Sequence, residues 1–374
     1  MTDAPRDPVT LPIARPSLPP LEEYVGLLRE VWQTRMLSNF GPMARRFEAS
    51  VQAQTGNPLC RAVASADVGL VLALAALQLP EGGECLLPSY TFNSTINAVL
   101  WNRLTPVFVD VDPRTLNLDP ADAARRLGER TVALVVTHVF GCPADLPALG
   151  ALASSRGIPL VADAAHAFGA RLGDRAIGDA SLGAIQVFSF SGTKAVTSAE
   201  GGIVACATPE LAGRIEKLRG YGFLHDYVSE HVGLNGKLSE LHAALGTLTA
   251  ERIEEVVAWR NRLAGRYRSR LGGVPGLAFQ ELLPGARSTW KDFAVLLPAG
   301  RDALAARLGQ LGIQTKRYFR PLHSMPLFER WRRPDDDLSD TDRVSENVLC
   351  LPIFNDLSED DVDRVCDAIV AFHA

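Results

Sequence analysis

Between about residue 60 and residue 206, short apolar runs alternate with amphipathic ones, and this order restricts the possible folds more than any other feature. "ECLLP", "TPVFVDV", "TVALVVTHVF" and "IPLVADAA" read as buried strands. "DVGLVLALAALQL", "TFNSTINAVLWNR", "PADAARRLGE" and "ADLPALGALASSRG" read as the helices between them. Strands apolar along their whole length need cover on both faces, and helical crossovers supply it, so the expected class is α/β with a mostly parallel mixed sheet. In such sheets, ligands bind beyond the carboxyl ends of the strands. Polar residues just after each strand are therefore where chemistry is to be sought.

The pattern changes around this unit. Residues 1–45 read as an N-terminal arm and helix, and residues 46–240 as the large α/β domain. Residues 241–374 read as a linking helix and a small C-terminal α+β domain. Near residue 235 the composition shifts, and "KLSELHAALGTLTAERIEEVVAWRNRLAGRYRSRL" reads as one long helical stretch with an Arg- and Glu-rich polar face. After it, "KDFAVLLP" and "IQTKRYF" read as strands, with "RDALAARLGQLG" and "SEDDVDRVCDAIVAF" as helices.

Several classes of function are excluded by composition. The net charge is −5 and no Lys/Arg-rich run occurs, so nucleic acid has no electrostatic footprint. The start, "MTDAPRDPVTLPIARPSLPP", is Pro-rich and acidic, unlike a signal or transit peptide. The longest apolar run, "VGLVLALAALQL", falls short of the roughly 20 residues that cross a bilayer. Cys60, Cys85, Cys142, Cys206, Cys350 and Cys366 stand apart without CxxC spacing, which points to buried free thiols and to no metal site. The expectation is a cytoplasmic chain.

Two strand ends carry groups that chemistry can use. "IPLVAD" ends in Asp163, with His166 three residues later. Lys194 lies in the turn of "VFSFSGTKAVTSAEGGIVA" between two apolar strands, followed by Glu200-Gly201-Gly202. A partly desolvated lysine has its pKa lowered, so its amine can form a Schiff base. An aspartate nearby is what pyridoxal phosphate needs to keep its ring nitrogen protonated. No GxGxxG or GxxxxGK[ST] stretch competes for a nucleotide. His138, after another strand, belongs equally to core or site, and Glu200 either orders the turn or pairs with a basic group.

Seven blocks in order carry a resemblance: "LLPSYTFNSTINAVL", "PVFVDVDPRTLNLDP", "THVFGCPADL", "VADAAHAFGA", "VFSFSGTKAVTSAEGG", "GLNGKLSELHAALG" and "KRYFRPLH". Together they resemble the DegT group of nucleotide-sugar aminotransferases, pyridoxal-phosphate enzymes of fold-type I, from about Arg15 to the C-terminus. The resemblance implies an aspartate-aminotransferase-like fold and a homodimer with a shared active site. It places Lys194 at the internal aldimine with pyridoxal 5'-phosphate, the pyridoxamine phosphate being the intermediate form. It places Asp163 at the pyridine nitrogen, His166 at the ring hydroxyl, Phe92 against the ring, and Ser189 at the phosphate. Asn235 would reach that phosphate in a second subunit. Phe92 and Ser189 read equally as a core aromatic and a satisfied strand serine. Tyr318, Arg317 and His323 either bind the substrate's diphosphate or pack between domains.

One block departs from the family pattern. The phosphate-cradling turn, usually Ser-Gly-Thr or Asn-Ala-Thr at a helix start, here reads Ser65-Ala66-Asp67. Asp67 is expected to cap the helix or turn away, leaving the Ala66 and Asp67 amides for the anion. The implied reaction takes glutamate as amino donor and a nucleotide-linked keto sugar as acceptor. "RPSLPPLEEY" and "GYGFLHDYVSEHVGLNGK" are similar to the branch acting at C4 of dTDP-4-keto-6-deoxyglucose. C3 amination of a 3-keto isomer, or a UDP- or GDP-linked substrate, is the alternative. A sugar dehydratase of this fold carries histidine in place of Lys194, and a non-catalytic sensor would bind cofactor without turnover.

Overall fold

The structure is a computed structural model describing residues 10–223 and 227–373. The first nine residues of the Pro-rich arm, and residues 224–226 within "GYGFLHDYVSEHVGLNGK", lie outside the described residues.

Helices α1 (Leu21–Thr34) and α2 (Pro42–Thr55) lead into the alternating unit. It runs β1 (Cys60–Val63), α3 (Ala66–Ala76), β2 (Glu84–Pro88), α4 (Asn93–Trp101), β3 (Thr105–Val109), α5 (Pro120–Arg126), β4 (Thr131–Thr137), α6 (Leu146–Ser155) and β5 (Leu160–Asp163). A short hairpin, β6 (Arg171–Leu172) and β7 (Arg175–Ala176), precedes β8 (Ile185–Ser189), β9 (Gly202–Cys206) and α7 (Pro209–Leu218). The seven-stranded sheet has the order β1-β9-β8-β5-β4-β2-β3. β3, β2, β4, β5 and β8 are parallel neighbours, and β9 runs antiparallel to both β8 and β1.

Strand side chains alternate between two cores, as the pleat requires. Leu86 and Phe188 face a layer that includes α2, α5, α6 and the residues just after them. Cys85, Leu87, Ile185 and Val187 face α3, α4 and α7. The parallel strands thus end on one edge, with Asp163 and Ser189 as the last residues of β5 and β8.

The stretch expected as one long helix is two, α8 (Glu240–Ala250) and α9 (Ile253–Leu271). Ser239 caps α8 by accepting the His242 N–H at 3.2 Å. The Thr249 hydroxyl donates to Thr197 O at 2.7 Å, tying the end of α8 to the loop after β8, and the chain turns at Glu251-Arg252. α9 buries Ile253 and Val257 among the large-domain apolar residues and Leu263, Tyr267 and Leu271 among those of the C-terminal unit.

Beyond α9 lie β10 (Ala278–Phe279), β11 (Ala286–Arg287), β12 (Phe293–Leu296), α10 (Arg301–Gln310), α11 (Ser339–Asn347), β13 (Val348–Leu351) and α12 (Glu359–His373). β10, β12 and β13 form an antiparallel sheet, while β11 pairs with β6 and ties this segment back to the large domain. "IQTKRYF" is not a strand of that sheet. It divides its pairing between Leu11, opposite Ile313, and Cys350, opposite Lys316, so no continuous ladder forms. All six cysteines are buried and unpaired. Among the described residues, no helix is long and apolar enough to cross a membrane.

Candidate active site

The carboxyl ends of β5 and β8 open into a cavity of about 440 Å³. Asp163 stands at its floor, 4 % exposed. Its Oδ2 accepts the Thr95 hydroxyl at 2.7 Å and its Oδ1 the Ala165 N–H at 3.2 Å. Thr95 lies in the first turn of α4, and its hydroxyl is 2.9 Å from that of Thr91, which is 2.9 Å from that of Thr137. Burial pushes the Asp163 carboxyl above the usual carboxylate range, while Thr95, the Ala165 amide and Lys194 pull it back. A carboxylate so placed is best satisfied by a cationic N–H arriving in the cavity.

Lys194 reaches the same cavity from the turn after β8. Its backbone N–H donates to Ser191 O at 3.0 Å, and Ser198 N–H to Phe190 O at 2.7 Å, closing the turn around it. Burial, then the ammonium of Lys291, lower its pKa from 10.5 to about 8 against the attraction of Asp163, Asp292 and Glu200. About a tenth is therefore free amine near pH 7, far more than an unhindered lysine offers, and this is the form that attacks a carbonyl.

His166 completes this group. Burial, Lys194 and Lys291 hold its pKa well below the ordinary value, so the ring is neutral. Its Nδ1 is enclosed without a hydrogen-bond partner, an unmet polar atom of the kind native proteins avoid unless a ligand meets it. The ring lies 6.5 Å from that of Phe319 and 23° from parallel to it, and Phe319 in turn is 6.5 Å from Phe92. Phe92 is 60 % exposed in the single chain, so it is a wall of the cavity and no part of the core.

The start of α3 also lines the cavity. Here the expectation for Asp67 is corrected: Ser65 is the cap, its Oγ accepting the Val68 N–H at 3.2 Å. Asp67 stays in the first helical turn and lines the cavity, close enough to raise the pKa of Asp163. The Ala66 and Asp67 amides begin the helix and have no intrahelical acceptor. Gly202, which opens β9, lets the cup close: a Cβ there would lie 2.7 Å from Ala66 N and 2.7 Å from the Ser65 carbonyl carbon. Ser189 adds a hydroxyl beside it, 8 % exposed.

Other candidates are distributed differently. Tyr318 lines the cavity and Glu200 stands at its rim. Arg317 is paired with Asp302 at 3.0 Å and does not line it. His323 is buried between the Ser89 hydroxyl, 2.7 Å from Nδ1, and Asp342, 3.1 Å from Nε2, and serves packing. His138 is a core residue whose Nδ1 accepts the Ala144 N–H at 2.9 Å, with burial pushing its pKa down to about 3. Asn235 is exposed, bonded to Lys237 Nζ at 2.6 Å, and does not line this chain's cavity. Sequence reasoning missed Thr95, Lys291, Lys316 and Phe319, all of which meet at or beside the cavity. Thr95 lies in the block "LLPSYTFNSTINAVL", Lys316 and Phe319 in "KRYFRPLH", and Lys291 heads the apolar run "KDFAVLLP", but none of these placements singles the residue out.

Pyridoxal phosphate fits the loose ends of this cavity. Its phosphate suits the free amides of α3, its ring nitrogen the Asp163 carboxylate, its aldehyde the Lys194 amine, and a polar ring substituent the unpartnered Nδ1 of His166. Fold and site define a pyridoxal-phosphate enzyme of aspartate-aminotransferase architecture. The sequence model of the DegT/DnrJ/EryC1/StrS aminotransferase family matches residues 21–370. A dTDP-4-amino-4,6-dideoxy-D-glucose transaminase of Escherichia coli is 30% identical over 365 residues, covering 95% of this chain and 97% of that one. The aminotransferase TlmJ from Streptoalloteichus hindustanus superposes with a TM-score of 0.90 at 33% identity, covering 97% of this chain and 98% of TlmJ. S. venezuelae DesV, solved in complex with a ketimine intermediate, gives a TM-score of 0.90 at 32% identity, covering 94% and 95%. The chain belongs to the DegT/DnrJ/EryC1/StrS aminotransferase family and is a pyridoxal-phosphate-dependent sugar aminotransferase.

Proposed function

We propose that this enzyme transfers the amino group of L-glutamate to carbon 4 of dTDP-4-keto-6-deoxyglucose, giving the 4-amino-4,6-dideoxy sugar. The chemistry rests on one observation: a lysine with its pKa lowered to about 8 faces the same cavity as the buried carboxylate Asp163. The sugar and the carbon rest on the likeness to the E. coli transaminase, which extends along nearly all of both chains.

The bound cofactor supplies an electron sink conjugated to the reacting carbon. Lys194 Nζ would hold the cofactor between turnovers. With the donor in the site, Nζ would serve as the base that moves the donor's α-proton. In the second half-reaction the same nitrogen returns a proton at sugar carbon 4. Asp163, held by Thr95 and the Ala165 amide, keeps its charge opposite the ring nitrogen and so retains the proton there. Neutral His166 offers Nδ1 to the ring substituent. Ala66, Asp67 and Ser189 hold the phosphate end. Phe92 and Phe319 wall the cavity and keep water from the ring.

The active unit in this reading is a homodimer in which Asn235 of a second copy reaches the phosphate. Trp32, Tyr227 and Val232 are 66%, 84% and 99% exposed in the single chain, apolar area that a second copy would cover. The test is incubation of the holoenzyme with L-glutamate and dTDP-4-keto-6-deoxyglucose, followed by NMR of the sugar. A new proton on carbon 4, now the amine-bearing carbon, with equimolar 2-oxoglutarate, is expected. An unchanged keto sugar alongside a cofactor that glutamate does convert refutes the choice of acceptor. Turnover in Lys194→Ala refutes the chemistry.

A further inference from the structure

Lys291 is 4 % exposed, yet its ammonium stands at the cavity, so its burial comes from being enclosed beside the site. It lies just before β12, and its position is fixed from several directions. Lys291 N–H donates to Phe140 O at 2.9 Å, and Thr289 Oγ1 to His166 O at 2.5 Å. The buried guanidinium of Arg260 donates to Trp290 O at 3.0 Å and to Asn355 Oδ1 at 2.8 Å, and Asn355 donates to Ala195 O at 3.1 Å, next to Lys194. The two lysines are thus held in register by a shared frame. Nζ of Lys291 donates to both Asp292 carboxylate oxygens at 3.1 Å, which leaves the ammonium a further N–H to offer.

An amino acid donor carries its α-carboxylate on the same carbon as the reacting amine. A cation that binds it must therefore sit deep, beside Lys194. Among the described residues, the cationic side chains that one chain contributes to the cavity are Lys194 itself, Lys291 and Lys316. His166 is neutral and Arg317 is paired with Asp302 outside it. Lys316 is exposed, its Nζ 4.5 Å from the Tyr318 ring centre. The diphosphate of a nucleotide sugar is separated from the reacting carbon by the hexose ring, so its counter-charge belongs toward the mouth, where Lys316 stands.

Resting on the transaminase reading, we infer that Lys291 is the binding residue for the α-carboxylate of the amino donor. Asp292 holds the ammonium in place, and the frame through Arg260 and Asn355 sets its position relative to Lys194. A carboxylate entering this buried site exchanges water for a charge-assisted hydrogen bond. Methyl amines, or amides of the donor, forfeit that bond.

The experiment uses holoenzyme with wild-type Lys291, Lys291→Met and Lys291→Arg. It reads the spectral change in single turnover with L-glutamate, isoglutamine (its α-amide) and glutamine (its γ-amide), and binding of the non-reacting dicarboxylate maleate by calorimetry. In the wild type, glutamate is expected to be preferred over isoglutamine by about tenfold or more. Lys291→Met is expected to weaken maleate and raise the KM for glutamate by about tenfold, to erase the preference over isoglutamine, and to leave the KM for the nucleotide sugar within about twofold. Lys291→Arg, which keeps the charge, is expected to retain maleate binding. Unchanged glutamate and maleate affinity in Lys291→Met overturns the inference. So does a loss that falls on the glutamine preference instead, which would assign Lys291 to the γ-carboxylate, or on the nucleotide sugar, which would assign it to the diphosphate. If Lys291→Met takes up no cofactor, loss of the isoglutamine discrimination in Lys291→Arg with the charge intact overturns it. A wild type that reacts with another amino acid and not with glutamate refutes the donor alone, and the same comparison then runs with that amino acid and its α-amide.

Discussion

Replacing Lys194 with methionine removes the group on which the chemistry depends, and the cofactor-free protein is expected to become more stable for it. Burial and Lys291 hold the folded-state pKa near 8, against 10.5 in an unhindered lysine. The unfolded chain therefore binds the proton more tightly, and the ammonium opposes folding wherever the unfolded lysine is charged. Below about pH 8 this cost is complete, and the interval from 10.5 to about 8 corresponds to about 3 kcal/mol. Between those values only the unfolded state holds the proton, so stability climbs with pH. At pH 9.5 about 1.4 kcal/mol remains, and above 10.5 the cost vanishes. Methionine has nearly the same length, packs adaptably and carries no charge, so it isolates this contribution.

The assay is urea unfolding of cofactor-free wild type and Lys194→Met, followed by circular dichroism near pH 7 and near pH 9.5. With a slope of about 3 kcal/mol/M for a chain of this size, the variant's midpoint should lie about 1 M higher near pH 7. Near pH 9.5 the gap should fall to half of that or less. Added pyridoxal phosphate should reverse the order, because the wild type gains by mass action and the variant lacks the anchoring amine. An equal gap at both pH values would show that packing and no charge separates the two proteins. No gap near pH 7 would mean that the fold does not depress Lys194 at all, and the account of its reactivity would fall with it.

Thr95→Val removes the hydroxyl that Asp163 Oδ2 accepts at 2.7 Å. A bond to a buried charge contributes about 1.5–3 kcal/mol, so cofactor affinity measured by fluorescence titration should fall about tenfold or more. Gly202→Ala places a methyl group 2.7 Å from Ala66 N, which must push β9 away from the start of α3. Thermal unfolding should show a loss of about 1–3 kcal/mol, and pyridoxal phosphate should bind more weakly even where the protein remains folded. Asp67→Thr removes a carboxylate from the cavity wall nearest the anion cup. Relief of about 1 kcal/mol of like-charge repulsion should tighten pyridoxal phosphate about fivefold near pH 7, and equal affinity in both proteins would show that Asp67 does not face the phosphate.

The large domain was legible because its constraints are local and repeated. Each strand of "ECLLP" type needs cover on both faces, which forces the helices between strands and places Asp163 and Ser189 at one edge. Lys194 stood out for the same reason, as a charge in a turn between two buried strands. What escaped depends on contacts between segments far apart in sequence. Lys291 reads in isolation as an ordinary strand-leading lysine, and only the docking of residues 288–292 onto Phe140 and His166 turns it into the cavity. Thr95 looks like any helical threonine until β5 brings Asp163 beside it. The break between α8 and α9 has neither Gly nor Pro to announce it; Thr249 reaching back to Thr197 O accompanies it. His323 and Arg317 illustrate the converse, since their motif neighbour Tyr318 reaches the cavity while they are engaged by Asp342 and Asp302.

The charges at the cavity form one coupled system, and Lys291 links its parts. Its ammonium contributes to lowering the pKa of both Lys194 and His166. With no donor bound, that repulsion favours the free amine of Lys194, which is the form a carbonyl needs. On the inference above, a donor carboxylate arriving at Lys291 would offset the positive charge and remove part of the repulsion. The proton affinity of Lys194 would then rise, at the stage when its nitrogen must take the donor's α-proton. One buried ammonium would thus make Lys194 a nucleophile before the donor binds and a stronger base once it has bound. Lys291→Met should therefore raise the pKa of Lys194 in the cofactor-free protein and abolish its response to maleate. Both are measurable as the pH dependence of Lys194 modification by an amine-selective reagent in the presence and absence of the dicarboxylate. An unaltered pKa in that variant would show that burial alone depresses Lys194 and that the two lysines act independently.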